Sequence, residues 1–216
     1  MTSPRYPEAA FLSAMTASAT HEVRNVLAII KETAGLIGDL VHLQSESGRL
    51  DAEKVHRSVA RVDAQVKRGA DILTALNRLS HALDHDVRSL AVGEELEQVV
   101  FMSERFARKR RQTVTLSEAD REAWVQAHPL HFQMALFATL KRCLDELPEG
   151  SGILAGVRSK EQEVGVEFRV DPERHPGGGL DPAAGWTEVE ALVSEVGGSV
   201  RLLDEGRAVR LSFGIV

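Results

Sequence analysis

The sequence predicts an α+β protein in two parts, and three observations predict it. Apolar residues step alternately by four and three through the first third of the chain. After about Asp86 the period shortens and β-rich runs alternate with helical ones. The last stretches pair as alternating strands. The expected architecture is an N-terminal antiparallel helical hairpin over residues 1–86, forming a dimeric four-helix bundle, followed by an α/β sandwich over residues 87–216.

The first helix runs from Pro7 to about Gln44, without an internal proline. Val23, Leu27, Ile30, Ala34, Ile37 and Val41 step by 4, 3, 4, 3, 4, which is a heptad seam. Ser45 to Asp51 supplies a break at Gly48 and an N-cap at Asp51. A second helix carries the same seam on Val55, Val59, Val62, Val66, Gly69, Leu73, Leu76, Ser80 and Leu83. Two such helices on a short loop form a hairpin that cannot cover both seams by itself. Pairing with a second copy completes the core, so a homodimer is expected; docking of the hairpin on the rest of its own chain is the alternative.

In the second part, SLAV and TVTL flank a helix that begins at Gly93 and ends in Arg108 to Arg111. AWVQAH leads into a helix that starts at Pro129, a residue suited to a first turn. Ile153–Ser159 and Glu163–Val170 read as paired strands. Thr187 to Gly198 is a helix with a glycine C-cap at Gly197 or Gly198, and the chain closes as a hairpin turning at Glu205 and Gly206. The helices are expected on one face of a mixed sheet.

Composition narrows the function classes. The chain has 216 residues, 43% of them hydrophobic and 27% charged, with a net charge of −6. Nothing in that balance asks for nucleic acid or an anionic membrane. The single cysteine, Cys143, excludes an internal disulfide and a thiolate metal cluster. No run approaches the roughly 18 apolar residues of a membrane span, and a cytoplasmic location is expected. The basic cluster Arg105, Arg108, Lys109, Arg110 and Arg111 suits a helix C-terminus, whose carbonyls favour cations; a nucleic-acid face would want a wider patch and more aromatics. Trp124 and Trp186 read as core. His81 and His85 have the i, i+4 spacing of a metal pair but no evident third ligand.

Residues 21–27, HEVRNVL, set a polar, titratable group beside an apolar stripe. His21, Glu22, Arg24, Asn25 and Leu27 match the H box H-E-x-R-N-P-L of bacterial sensor histidine kinases, with Val26 where proline is common. With the hairpin before it and the closing segment Gly185–Val216 after it, the chain resembles the two-domain core of that family over nearly its whole length. The resemblance implies that His21 is a phosphoacceptor. Glu22 would orient the ring or accept its second proton, and Asn25 would aim a water or the phosphoryl group. Arg24 either offsets phosphate charge or is a solvated helix residue. Extending the seam backward from Val23 through Thr20 and Thr16 places His21 one residue off the buried line, partly exposed, with Asn25 over the same surface. A neutral imidazole has a ring lone pair able to attack phosphorus.

The departures from the family are equally specific. Where the family's N box, N-x-x-x-N-A, places asparagines that help hold Mg²⁺ and ATP, the chain has Ala138 and Arg142. A guanidinium offers no lone pair to a metal. The family's D-x-G-x-G is replaced by DPERH (Asp171 to His175), and His175 with Gly177 to Gly179 reads as a connecting loop rather than a phosphate cradle. The sequence therefore predicts a histidine phosphotransferase resembling the dimeric phosphorelay type, binding no cofactor itself, with response-regulator receiver domains as partners that supply Mg²⁺ and the acceptor aspartate. A receiver phosphatase or docking module, a divergent kinase and a structural adaptor are the alternatives.

Overall fold

The computed structural model describes residues 7–47, 51–117, 123–160, 163–175, 179–181 and 185–214. Two long helices open the chain, α1 (Pro7–Ser47) and α2 (Ala52–His81). Asp51 caps α2 as expected: its Oδ1 accepts the Lys54 amide at 3.1 Å and its carbonyl accepts Val55 N. Gly48 lies outside the described residues.

The buried line of the hairpin is shifted by one residue from the predicted seam. In α1 it follows Met15, Ala19, Glu22, Val26, Ile29, Thr33 and Ile37; in α2 it follows Ser58, Val62, Gln65, Ile72, Ala75 and Leu79. Several residues assigned to the seam are instead exposed, Leu27 at 59% and Val66 at 55%, with Val41, Val59, Leu73 and Leu83 like them. An apolar stripe wide enough for a bundle serves two neighbours, and within one chain only one side of it meets the other helix. Where α1 and α2 meet, a Cβ on Gly69 would stand 3.3 Å from Val26 Cγ1, so glycine permits close approach. Thr33 stays on the line by donating its hydroxyl to Ile29 O at 2.7 Å.

The chain forms two compact units. The first comprises Ser13–Arg78; the second takes in Leu79–Val216 and the start of α1 before Ser13. Within this second unit Phe11 packs its ring 5.4 Å from Phe137, and Glu8 accepts from His131 Nε2 at 3.0 Å. A helix that starts in one core and continues into another gives no break in periodicity at the boundary.

The second unit continues with β1 (Arg88–Ala91), α3 (Val92–Lys109), β2 (Thr113–Leu116), β3 (Trp124–Ala127), α4 (Pro129–Glu146), β4 (Gly152–Lys160), β5 (Glu163–Val170), α5 (Thr187–Glu195), β6 (Ser199–Leu203) and β7 (Ala208–Gly214). β1 and β3 pair antiparallel by themselves, while the main sheet has the order β2-β4-β5-β7-β6, with only β2 and β4 parallel. Ile153, Ala155, Val157, Val164, Val166, Phe168, Val209, Leu211 and Phe213 are buried. Their alternation along the strands aims them at one face, the one that takes Phe132 of α4, whose ring lies 5.0 Å from Phe213. This is the mixed sheet with helices on one face that the sequence predicts.

α5 ends where Gly197 takes φ +75° and Gly198 N reaches back to Val193 O at 2.9 Å, a glycine C-cap. Trp186 is buried as expected, but Trp124 is 47% exposed: on β3 it alternates outward from the buried Val125 and Ala127. The basic cluster does more than cap α3. Arg110 pairs with Asp145 at 3.0 Å, and Arg111, at φ +54°, pairs with Glu149 at 2.9 Å.

Candidate functional site

His21 lies in the first half of α1 with its side chain 51% exposed, partly exposed as expected; the buried line beside it runs through Ala19 and Glu22, and Thr16 and Thr20, expected on that line, are exposed. Asn25, one turn on, donates from Nδ2 to His21 Nδ1 at 3.2 Å and to Glu22 Oε1 at 3.5 Å. An amide nitrogen only donates, so in this arrangement Nδ1 is an acceptor and the ring proton sits on Nε2. Glu22 Oε1 stands 3.9 Å from Nδ1, beyond hydrogen-bond reach. Its other oxygen, Oε2, accepts from Arg68 Nη2 of α2 at 3.3 Å, and the carboxylate is only 12% exposed. Arg24 is exposed on the helix surface. The hairpin therefore gathers His21, Glu22 and Asn25 into one hydrogen-bonded group.

Arg68 is the residue that motif reasoning misses. It comes from the other helix, and only the register set by Gly69 against Val26 brings it opposite Glu22. A sequence signal exists in hindsight: Arg68 adjoins the glycine at which the helices approach.

In the second unit, Arg142 and the residues around it, singled out in the sequence, make contacts with one another. Arg142 Nε meets Glu146 Oε1 at 2.5 Å one turn along α4, and its guanidinium lies 5.9 Å from the Trp186 ring. Glu146 Oε2 accepts the Asp181 amide at 3.1 Å, and Trp186 Nε1 donates to Asp181 O at 3.3 Å. A cation, its carboxylate and an indole thus tie the loop before α5 to α4. A guanidinium offers no lone pair to a metal ion.

The Asp171 segment is likewise committed to a turn. Asp171 Oδ1 accepts Glu173 N at 3.0 Å, its carbonyl accepts His175 N at 2.9 Å, and Arg174 Nε stands 3.8 Å from its Oδ2. Leu180 N donates to Gly206 O at 2.7 Å, while a Cβ on Gly206 would lie 2.1 Å from Leu180 O. Gly179 joins that contact, whereas Gly177 and Gly178 lie outside the described residues.

Other sequence candidates separate. His81 is the last residue of α2, so His85 lies beyond the helix and the pair does not share a helical face; His81 instead stands 3.5 Å from Asp84. Among the described residues no group of three or more His, Cys, Asp or Glu is placed to hold a metal ion. Cys143 is buried in α4, and desolvation pushes its thiol far up. His128 stacks on His131 at 4.4 Å. Desolvation, then the neighbouring His131, lower its pKa, against the pull of Asp86, Glu8 and Glu195. Among the described residues no helix is long and apolar enough to cross a membrane.

No protein-family model and no curated protein matches the chain. Among solved structures it is similar to the catalytic domain of the histidine kinase ThkA, at 13% identity over 61% of this chain and 98% of that one, with a TM-score of 0.48. It is also similar to the histidine kinase AdeS of Acinetobacter baumannii, at 12% identity over 90% and 96% of the two chains, with a TM-score of 0.47. A third is ThkA in complex with the response regulator protein TrrA, at 16% identity over 98% of this chain and 64% of that one, with a TM-score of 0.48. In the order of its parts, a helical hairpin followed by a mixed-sheet unit, the chain resembles the sensor histidine kinase core.

Proposed function

We propose that the chain is a histidine phosphotransferase of two-component signalling, with His21 carrying a phosphoryl group to or from the aspartate of a response-regulator receiver. The observation that carries this reading is the exposed imidazole of His21 held in one group with Asn25 and Glu22. Phosphoryl transfer needs reactants positioned and oxygen charge neutralised, and a receiver supplies both the aspartate and its Mg²⁺. The Arg142–Glu146 pair, where a kinase would hold metal and nucleotide, supports a carrier that binds no ATP of its own. The exposed stripe of Leu27, Val41, Val59, Val66 and Leu73 supports a homodimer formed through the hairpin.

Incubation with a phosphorylated receiver and Mg²⁺ should place acid-labile phosphate on the protein, and His21→Ala should abolish it. Labelling that persists in His21→Ala, or that arises from ATP alone, would refute this reading; the latter result selects a divergent kinase. A second reading rests on Asn25, whose amide is exposed beside the ring. Receiver dephosphorylation that survives His21→Ala but not Asn25→Ala would make the chain a receiver phosphatase.

A further inference from the structure

Two hydrogen-bonding arrangements are open to His21, and they leave opposite nitrogens free. With Asn25 Nδ2 donating to Nδ1, the ring proton lies on Nε2, and the exposed edge has no lone pair. For Nε2 to attack phosphorus, the proton must sit on Nδ1, which then needs an acceptor. Glu22 Oε1 is the acceptor at hand, but at 3.9 Å it is held short of the ring. What draws its carboxylate toward the other helix is Arg68, whose Nη2 lies 3.3 Å from Oε2. A guanidinium on a carboxylate is a strong, directional contact, and Glu22 is largely screened from water, so the pull is not dissipated in solvent.

We infer that Arg68 is a positioning residue that selects the tautomer of His21: paired with Glu22 it keeps the ring in the Nε2–H form, and release of that pair frees Glu22 to accept Nδ1–H. Arg68 is itself 37% exposed on the same side of the hairpin, so an incoming phosphoryl anion competes with Glu22 for the guanidinium. Engagement of Arg68 by the anion then coincides with activation of the ring. Nε2 forms its bond to phosphorus as the bond to the donor carboxylate oxygen breaks, and that electron pair leaves with the carboxylate. The positive charge appearing on the ring is met at Nδ1–H by Glu22. This inference rests on the phosphotransferase reading for its purpose, but its structural core, the control of a tautomer, stands without it.

The test is the ring ¹⁵N spectrum of His21 in the full-length, histidine-labelled protein at mildly alkaline pH, with His21→Gln identifying its signals. The wild type should show Nδ1 as the unprotonated nitrogen. Arg68→Met, which keeps the aliphatic stem, should raise the Nδ1–H form several-fold; Arg68→Lys should keep the wild-type ratio, and adding Glu22→Leu, which has no acceptor, to Arg68→Met should remove the rise. A general loss of packing would not be reversed by a second substitution at Glu22. Equal tautomer ratios in wild type and Arg68→Met, or Arg68→Lys behaving as Arg68→Met, would overturn the inference. A tautomer that responds to Arg68 in a chain that takes no phosphate from any phospho-receiver would defeat the phosphotransferase reading and leave this one standing.

Discussion

Leu73→Asp tests the dimer. Leu73 is 56% exposed on α2, in a row with Val59 and Val66 at seven-residue spacing. Full burial of a leucine side chain stabilises by about 2–3 kcal/mol, so covering the exposed half contributes roughly 1.3 kcal/mol. In a twofold-symmetric dimer the change enters twice, giving about 2.6 kcal/mol, or close to a hundredfold in the dissociation constant. That is a lower bound, because the new carboxylate must also be desolvated at the interface. Within one chain the site faces solvent, so helicity and the melting of an isolated chain should change little. Sedimentation equilibrium across a concentration series should show the wild type as a dimer, with the variant's transition moved about a hundredfold or more higher. A wild type that stays monomeric throughout, or superimposable curves for the two proteins, would refute the reasoning that the stripe serves a second copy.

Other substitutions probe the second unit. Arg142→Asn should not create ATP binding by calorimetry, since the Asp171 turn remains closed on itself; it should lower stability by about 1–3 kcal/mol in a denaturant titration, because Glu146, 13% exposed, loses its cation. Gly206→Ala should cost about 2 kcal/mol or more in the same assay, since its φ of +88° and the 2.1 Å approach to Leu180 O both oppose a Cβ. Stability should also fall on acidification. The folded chain holds His128 below its ordinary 6.5, so the unfolded chain binds the proton first. The contribution is fully present above 6.5 and is lost as pH falls through the lower folded value; His128→Gln should flatten that slope in melts run between neutral and mildly acidic pH.

Period was the most readable property of the sequence, and neighbour identity the least. The change from helical stepping to strand alternation placed β5 at Glu163–Val170 and α4 at Pro129 to the residue. Asp51 and Gly197 announced their helix ends through chemistry that acts within a turn. The seam was less readable, because a heptad stripe in isolation does not say which of its sides meets the hairpin partner. Val26 and Thr33, outside the seam, are buried, and Leu27, inside it, is exposed. Trp124 followed the same logic: its size suggested core, but the alternation of a four-residue strand decides the matter. His21, Glu22 and Asn25 were legible because their spacing alone brings them together on a helix, whereas Arg68 required the register between two helices.

The same distinction separates the apolar core of the second unit from its polar contacts. The sheet core is built by alternation on β4, β5 and β7. Glu146 meets Arg142 with one oxygen and accepts the Asp181 amide with the other. Placed one turn from Glu146 and close to Trp186, Arg142 gives a largely buried carboxylate a partner, and Glu146 in turn ties Asp181 to α4. Under the proposed phosphotransferase reading, the helical hairpin that carries His21 is where phosphoryl chemistry is to be sought.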